Sequence, residues 1–179
     1  MSVDFNAEFA LTVARASAQD WIRRFESPGP ATTQLIGRWR QRWSVQTWSA
    51  EPDAELPNFI KVLGPGGFAI DISEVAANVY HSSRFTLFVH DPEHQRQLRQ
   101  SCLEWTRIFG SDRAIYVPEL TPTRFYDGAT LDQIEAKLRE TYGPPAAAIS
   151  QIAEPFQPGC YFVDRFEDLR SRESRPNAT

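Results

Sequence analysis

Apolar and polar positions recur along this chain with two periods, and the period of each stretch predicts its element. Phe9, Leu11 and Val13 alternate with small or polar residues, as a half-buried strand would. Ser17, with Asp20 three residues later, has capping-box spacing, and Trp21, Ile22 and Phe25 give the following segment one apolar helical face. Pro28 and Pro30 stop that helix, because proline cannot continue the backbone hydrogen-bond ladder. Between Gln34 and Trp48 the periods compete: Leu35, Trp39 and Trp43 recur every four residues, whereas Arg38, Arg40 and Arg42 alternate. The balance predicts a helix to about Arg42 and a strand from about Trp43 to Ser49, followed by a polar, proline-bounded loop over 51–57.

Two apolar runs, 59–63 and 67–72, flank a Gly-Pro-Gly-Gly turn and predict a hairpin. Ser73 is expected to cap a short helix to Tyr80, with Val75, Ala76 and Val79 on one face, and Arg84 to Val89 reads as a strand. Asp91, Pro92 and Glu93 are an N-cap, a first-turn proline and a first-turn acid, and Gly110 is a C-terminal stop. Between them Leu98, Cys102, Trp105 and Phe109 recur at helical spacing. With Arg113 to Pro118 as the next strand, the segment predicts a βαβ-like unit. Thr130 and Gln133 open a further helix with Leu131, Ile134, Leu138 and Tyr142 on its face, and Gly143 ends it. A last strand is expected over Cys160 to Val163, and the residues after Leu169 have the composition of a disordered tail. The pattern predicts one α+β domain over 1–169, with a 170–179 tail, built on a mixed or antiparallel sheet of about five or six strands and three or four helices.

Composition narrows the function classes. The 179 residues, 41% hydrophobic, suffice for one core, and Lys+Arg 19 against Asp+Glu 23 gives a net charge of -4. That balance argues against a polybasic membrane binder or a nucleic-acid coat. The apolar runs are far shorter than a bilayer span, and the N-terminus has no basic and apolar export signal, so a cytoplasmic protein with no membrane partner is expected. Two cysteines, Cys102 and Cys160, are too few for a disulfide framework.

Candidate chemistry is sparse. His90 and His94 flank Pro92, which leaves one at a strand end and the other on a helix, so no metal is expected there; both read as surface or capping histidines. Gly64, Gly66 and Ala69 satisfy GxGxxA by letter, but a strand follows instead of the helix whose N-terminus would hold a phosphate. No nucleophile elbow is present, and Cys102 reads as a buried thiol. Arg38 to Trp43 mixes arginines and tryptophans as single-strand binders do, but the expectation is that the tryptophans enter the core and the arginines pair with carboxylates, making a nucleic-acid partner improbable. The pairs Asp71/Glu74, Asp91/Glu93 and Asp127/Asp132 read as solvated acids.

The long 118–128 loop differs, because prolines stiffen it while it carries large side chains. Glu119, Arg124, Phe125, Tyr126 and Asp127 are therefore the expected partner-binding residues. With no cofactor motif and no catalytic constellation, the leading expectation is a non-enzymatic protein-binding domain, in its concrete form an immunity or antitoxin-like protein neutralising a basic toxin. The alternative is a small hydrolase or transferase using carboxylates with His81 or His90 in a pocket.

Overall fold

The computed structural model describes residues 4–14, 16–54, 56, 58–118, 121, 123, 125–152 and 161–173. Its first strand, β1 (Asp4–Ala10), ends where the expected strand was only beginning. The alternation that matters is Phe5, Ala7 and Phe9, fully buried on one face, and Leu11 and Val13 lie in the loop beyond, packed on the core edge. The capping box at Ser17 and Asp20 forms as expected and opens α1 (Ala18–Phe25). Pro30 is the first residue of α2 (Pro30–Trp39). Helix gives way to a single 3-10 turn at Arg40–Arg42, and the expected 43–49 strand is replaced by β2 (Ser49–Pro52).

The hairpin forms as β3 (Ile60–Leu63) and β4 (Phe68–Ile72). The two segments that follow exchange their expected conformations. The stretch expected to be helical becomes β5 (Ala76–Arg84), and the expected strand becomes α3 (Phe85–His90). β5 lies between β4 and β1, with both faces covered over most of its length, so the period-two signal of a half-buried strand is lost. In α3 the buried residues Phe85, Phe88 and Val89 fall at helical spacing, which outweighs their β propensity. Ser73 closes the β4–β5 turn instead of capping a helix, its hydroxyl accepting from the Ala76 amide at 3.0 Å.

α4 (Pro92–Phe109) has the expected caps: Asp91 accepts from the amides of Glu93 and His94, and Gly110 ends the helix at φ 74. β6 (Ala114–Pro118), α5 (Leu131–Tyr142) with its Thr130/Gln133 capping box, β7 (Phe162–Asp164) and α6 (Glu167–Glu173) complete the chain. α6 runs past residue 169 into the stretch expected to be disordered; residues 174–179, like Cys160, lie outside the described residues. The result is one α+β domain with seven strands and six α-helices among the described residues, more of each than the pattern predicted. Every hydrogen-bonded strand pair is antiparallel, in the order β2-β3-β4-β5-β1-β6-β7; β5 and β6, both antiparallel to the β1 between them, run parallel to one another and are joined through α3 and α4, so the expected βαβ-like unit is split by β1. No described helix is long and apolar enough to cross a membrane.

One face of the sheet packs on α1 to α4 through an aromatic core. Trp105 is fully buried, with ring centroids 5.4 Å from Phe25, 5.7 Å from Phe68 and 6.1 Å from both Trp48 and Phe109. α2 is joined to α4 by Glu104, whose carboxylate accepts from the Ala31 and Thr32 amides at 2.8 Å each and so caps the α2 N-terminus. Gly29, at φ 121, is needed because a Cβ there would collide with that carboxylate.

Truncating Trp105 to alanine is expected to cost about 3–5 kcal/mol, the range for deleting a buried aromatic. Urea denaturation measures it, and a loss below about 1 kcal/mol would mean that the ring is not part of the core.

Candidate functional site

The opposite face of the sheet is half apolar and half polar, and strand register draws the division. Lys61 pairs with Asp71, Asp71 with Asn78, and Asn78 with Glu8, so the four side chains share one row across β3, β4, β5 and β1. Asn6 and Tyr80 pair in the adjoining row. Towards β6 the rows continue as Ile115 and Val117, and α5 covers these with Leu131, Ile134 and Leu138.

Over the polar half sits the 3-10 turn Phe125–Asp127. Phe125 is buried at 1% exposure among Phe59, Leu56 and Leu131, so what it offers a partner is anchorage for its neighbour. That neighbour, Tyr126, is 49% exposed, with its ring 5.1 Å from Phe125 and 5.8 Å from Phe59. Its hydroxyl donates to Asp71 Oδ2 at 2.7 Å and lies 2.7 Å from the Tyr80 hydroxyl, to which Asn78 Nδ2 donates at 2.9 Å. With the Tyr126 proton on Asp71, Tyr80 donates to Tyr126, and the chain of donors from Asn78 converges on one carboxylate. Burial raises the Asp71 carboxyl above its ordinary value, and the Tyr126 hydrogen bond and Lys61 oppose the rise. Beside Tyr126 a cleft of about 270 Å³ is lined by Phe59, Ser73, Glu74 and Asp127. Of the residues expected from sequence, Tyr126 and Asp127 line this cleft and Phe125 is buried; Glu119 and Arg124 lie outside the described residues.

Beneath the loop the sequence gives little warning of what is buried. Glu8 is fully buried and neither carboxylate oxygen is paired among the described residues, although Thr123 works against the effect of burial on its carboxyl. Asn6 Oδ1 and Asn78 Oδ1 are likewise buried and unpartnered. All four unpartnered atoms are oxygens on one face, and a protonated Glu8 carboxyl carries the one donor hydrogen among them. Desolvation pushes the Glu8 carboxyl up to about 7. The available signal was the alternation of Asn6 and Glu8 with Phe5, Ala7 and Phe9 in a strand covered on both sides.

The histidines lie elsewhere. His81 is fully buried on the aromatic face, and its Nδ1 accepts from the Ser83 amide at 3.1 Å, which places the ring proton on Nε2. Burial, reinforced by His94, drives its pKa down to about 3. His94 is not a surface residue as expected: it is 2% exposed, 6.4 Å from the His81 ring, because the α4 face that carries Leu98 also carries it inward. His90 is exposed at the end of α3. The sheet therefore separates His81 from Glu8 and Asp71. Asp91 and Glu93 are occupied as the α4 cap and the Arg96 partner, and Asp132 pairs with Arg113.

The arginine–tryptophan stretch also departs from expectation. Trp39 is partly buried, but Trp43 is 40% exposed and Arg38, Arg40 and Arg42 are exposed, because the chain leaves the core at the 3-10 turn. Arg40 bonds Gln46 and Arg42 stacks on Trp39 at 4.9 Å; neither pairs with a carboxylate among the described residues. Compared with known proteins, the chain matches no family model, no curated protein and no solved structure.

The raised Glu8 carboxyl gives a pH prediction. Folded and unfolded chains both hold this proton well below pH 4.5; as pH rises towards about 7 the unfolded chain releases it first, and the folded state loses stability. At 1.36 kcal/mol per pKa unit the loss is about 3 kcal/mol. Glu8→Gln should match the parent near pH 4 and exceed it by up to this amount at pH 8 in urea denaturation, whereas a variant without a pH-dependent gain would show that the carboxyl is solvated.

Proposed function

We propose that the chain is a non-enzymatic binding protein for a basic protein partner, of the immunity or antitoxin kind, acting through the Tyr126 end of the sheet. Tyr126 carries the reading: its ring is half exposed, yet its hydroxyl is held by Asp71 and Tyr80 at the lip of a cleft lined by Glu74 and Asp127. An aromatic side chain already fixed in place loses little conformational entropy when a partner docks. A guanidinium or ammonium laid on such a ring gains a cation–π contact, and flanking carboxylates add charge-assisted hydrogen bonds. The net charge of -4 steers a basic partner towards the chain. The buried free thiol of Cys102, pushed up by desolvation and hence inert, agrees with a cytoplasmic setting.

The test uses an arginine-rich peptide as probe, a glutamate-rich peptide of equal length as control, and binding kinetics at two salt concentrations. Glu74→Lys/Asp127→Lys should slow association, most strongly at low salt, where screening is weakest. Tyr126→Ala should instead speed dissociation, by about 2 kcal/mol for a hot-spot residue. Equal binding of the two peptides, or rates unchanged in both variants, would overturn the reading.

A further inference from the structure

At the other end of β5, where the strand passes into α3, a second cavity of about 500 Å³ has the opposite chemistry. Its walls are Trp39, Arg42 and Trp43 from the end of α2 and the turn after it, and Ser82, Arg84 and Leu87 from the β5–α3 junction. Two of the three large apolar side chains exposed among the described residues, Trp43 and Leu87, stand here. No acidic side chain lines the cavity. Arg42 and Arg84 have no carboxylate partner among the described residues, whereas Arg99 and Arg113 each hold two or more. Two further donors lack acceptors, since Ser82 Oγ and Trp39 Nε1 are both buried and unpartnered. Trp43 is seated rather than dangling: its Nε1 would lie 2.8 Å from a Cβ placed on Gly67, and the same Cβ would collide with Ser82 Oγ. Gly67, at φ 88, leaves the space that both the indole and the hydroxyl occupy.

A cavity of this volume is the size of a small-molecule site, and its polar groups are donors with two fixed positive charges. A ligand that answers all of them is a compact multivalent anion joined to a flat apolar ring. We propose that this cavity binds a nucleoside phosphate, with the phosphate between Arg42 and Arg84 and the base against Trp43 and Leu87. Guanidinium groups suit phosphate because they donate paired hydrogen bonds, and an indole stacks on a base of any sequence. A free nucleotide and a nucleotide within a single strand offer the same group, and the experiment separates them.

The probes are adenosine monophosphate, adenosine, inorganic phosphate and a short oligoadenylate, titrated into the full chain by calorimetry. Adenosine monophosphate is expected to bind at least about tenfold more tightly than either adenosine or phosphate alone, because both halves of the cavity are then filled. Arg42→Gln/Arg84→Gln and, separately, Trp43→Ala should each weaken it at least about tenfold. These side chains are exposed, so the melting temperature should hold and the loss cannot be ascribed to unfolding. Tighter binding of the oligoadenylate, scaling with its length, assigns the site to single strands; equal affinity per site assigns it to free nucleotide. The proposal fails if adenosine monophosphate does not bind at millimolar concentration, or binds the variants as well as the parent. Because none of these residues lines the Tyr126 cleft, either outcome is independent of the arginine-peptide measurement.

Discussion

The register of β1 is the constraint on which the rest of the structure depends. This strand pairs on both edges, with β5 and β6, and is covered on both faces, so each of its side chains is committed to one layer or the other. Phe5, Ala7 and Phe9 join the aromatic core under α4; Asn6 and Glu8 face the Tyr126 loop. A slip of one residue would place a carboxyl among the phenylalanines and three apolar side chains against Asn78 and Tyr80. Both choices are costly, and this holds the sheet in a single arrangement although Glu8 and Asn6 are themselves poorly satisfied.

What was legible in the sequence was whatever is encoded locally. Capping boxes at Ser17 and Thr130, the Asp91–Pro92 start and the Gly110 stop are satisfied by residues a few positions away, and each appears in the fold as read. The 59–72 hairpin was readable for the same reason, since its turn chemistry lies within the segment. The stretch from Ser73 to His90 was not. Whether 76–84 is strand or helix depends on β4 and β1 lying on either side of it, and no local signal carries that information.

The candidate sites divide in the same way. Tyr126 and Asp127 were legible because a stiff loop with large side chains is unusual in itself, while Glu74, Asp71 and Tyr80 join them only through strand pairing and the β4–β5 turn. The Arg38–Trp43 stretch was visible as a motif, but its meaning rested on whether carboxylates would reach the arginines. Folding supplies them to Arg99, through Asp164 and Asp168, and to Arg113, through Asp112, Asp132 and Glu135. These two arginines dock α6 and α5 on the rest of the domain and are occupied by that task. Arg42 and Arg84 are not so occupied, and an arginine held against aromatic surface without a counter-ion is poised for an anion from outside.

β5 relates the two sites physically. The acidic cleft is lined from the turn before its first residue and the Tyr126 hydroxyl reaches Tyr80 in its middle, whereas the cationic cavity takes Ser82 and Arg84 at its end, on the order of 10 Å from Tyr80 along an extended strand. The strand between them is hydrogen-bonded on both edges, to β4 and to β1. Its pairing with β1 already carries one irregularity, at Asp4 and Phe5 opposite His81 and Arg84. That irregularity lies between Tyr80, which holds the Tyr126 hydroxyl, and Arg84 of the cationic cavity, so a change of register there would be felt at both sites.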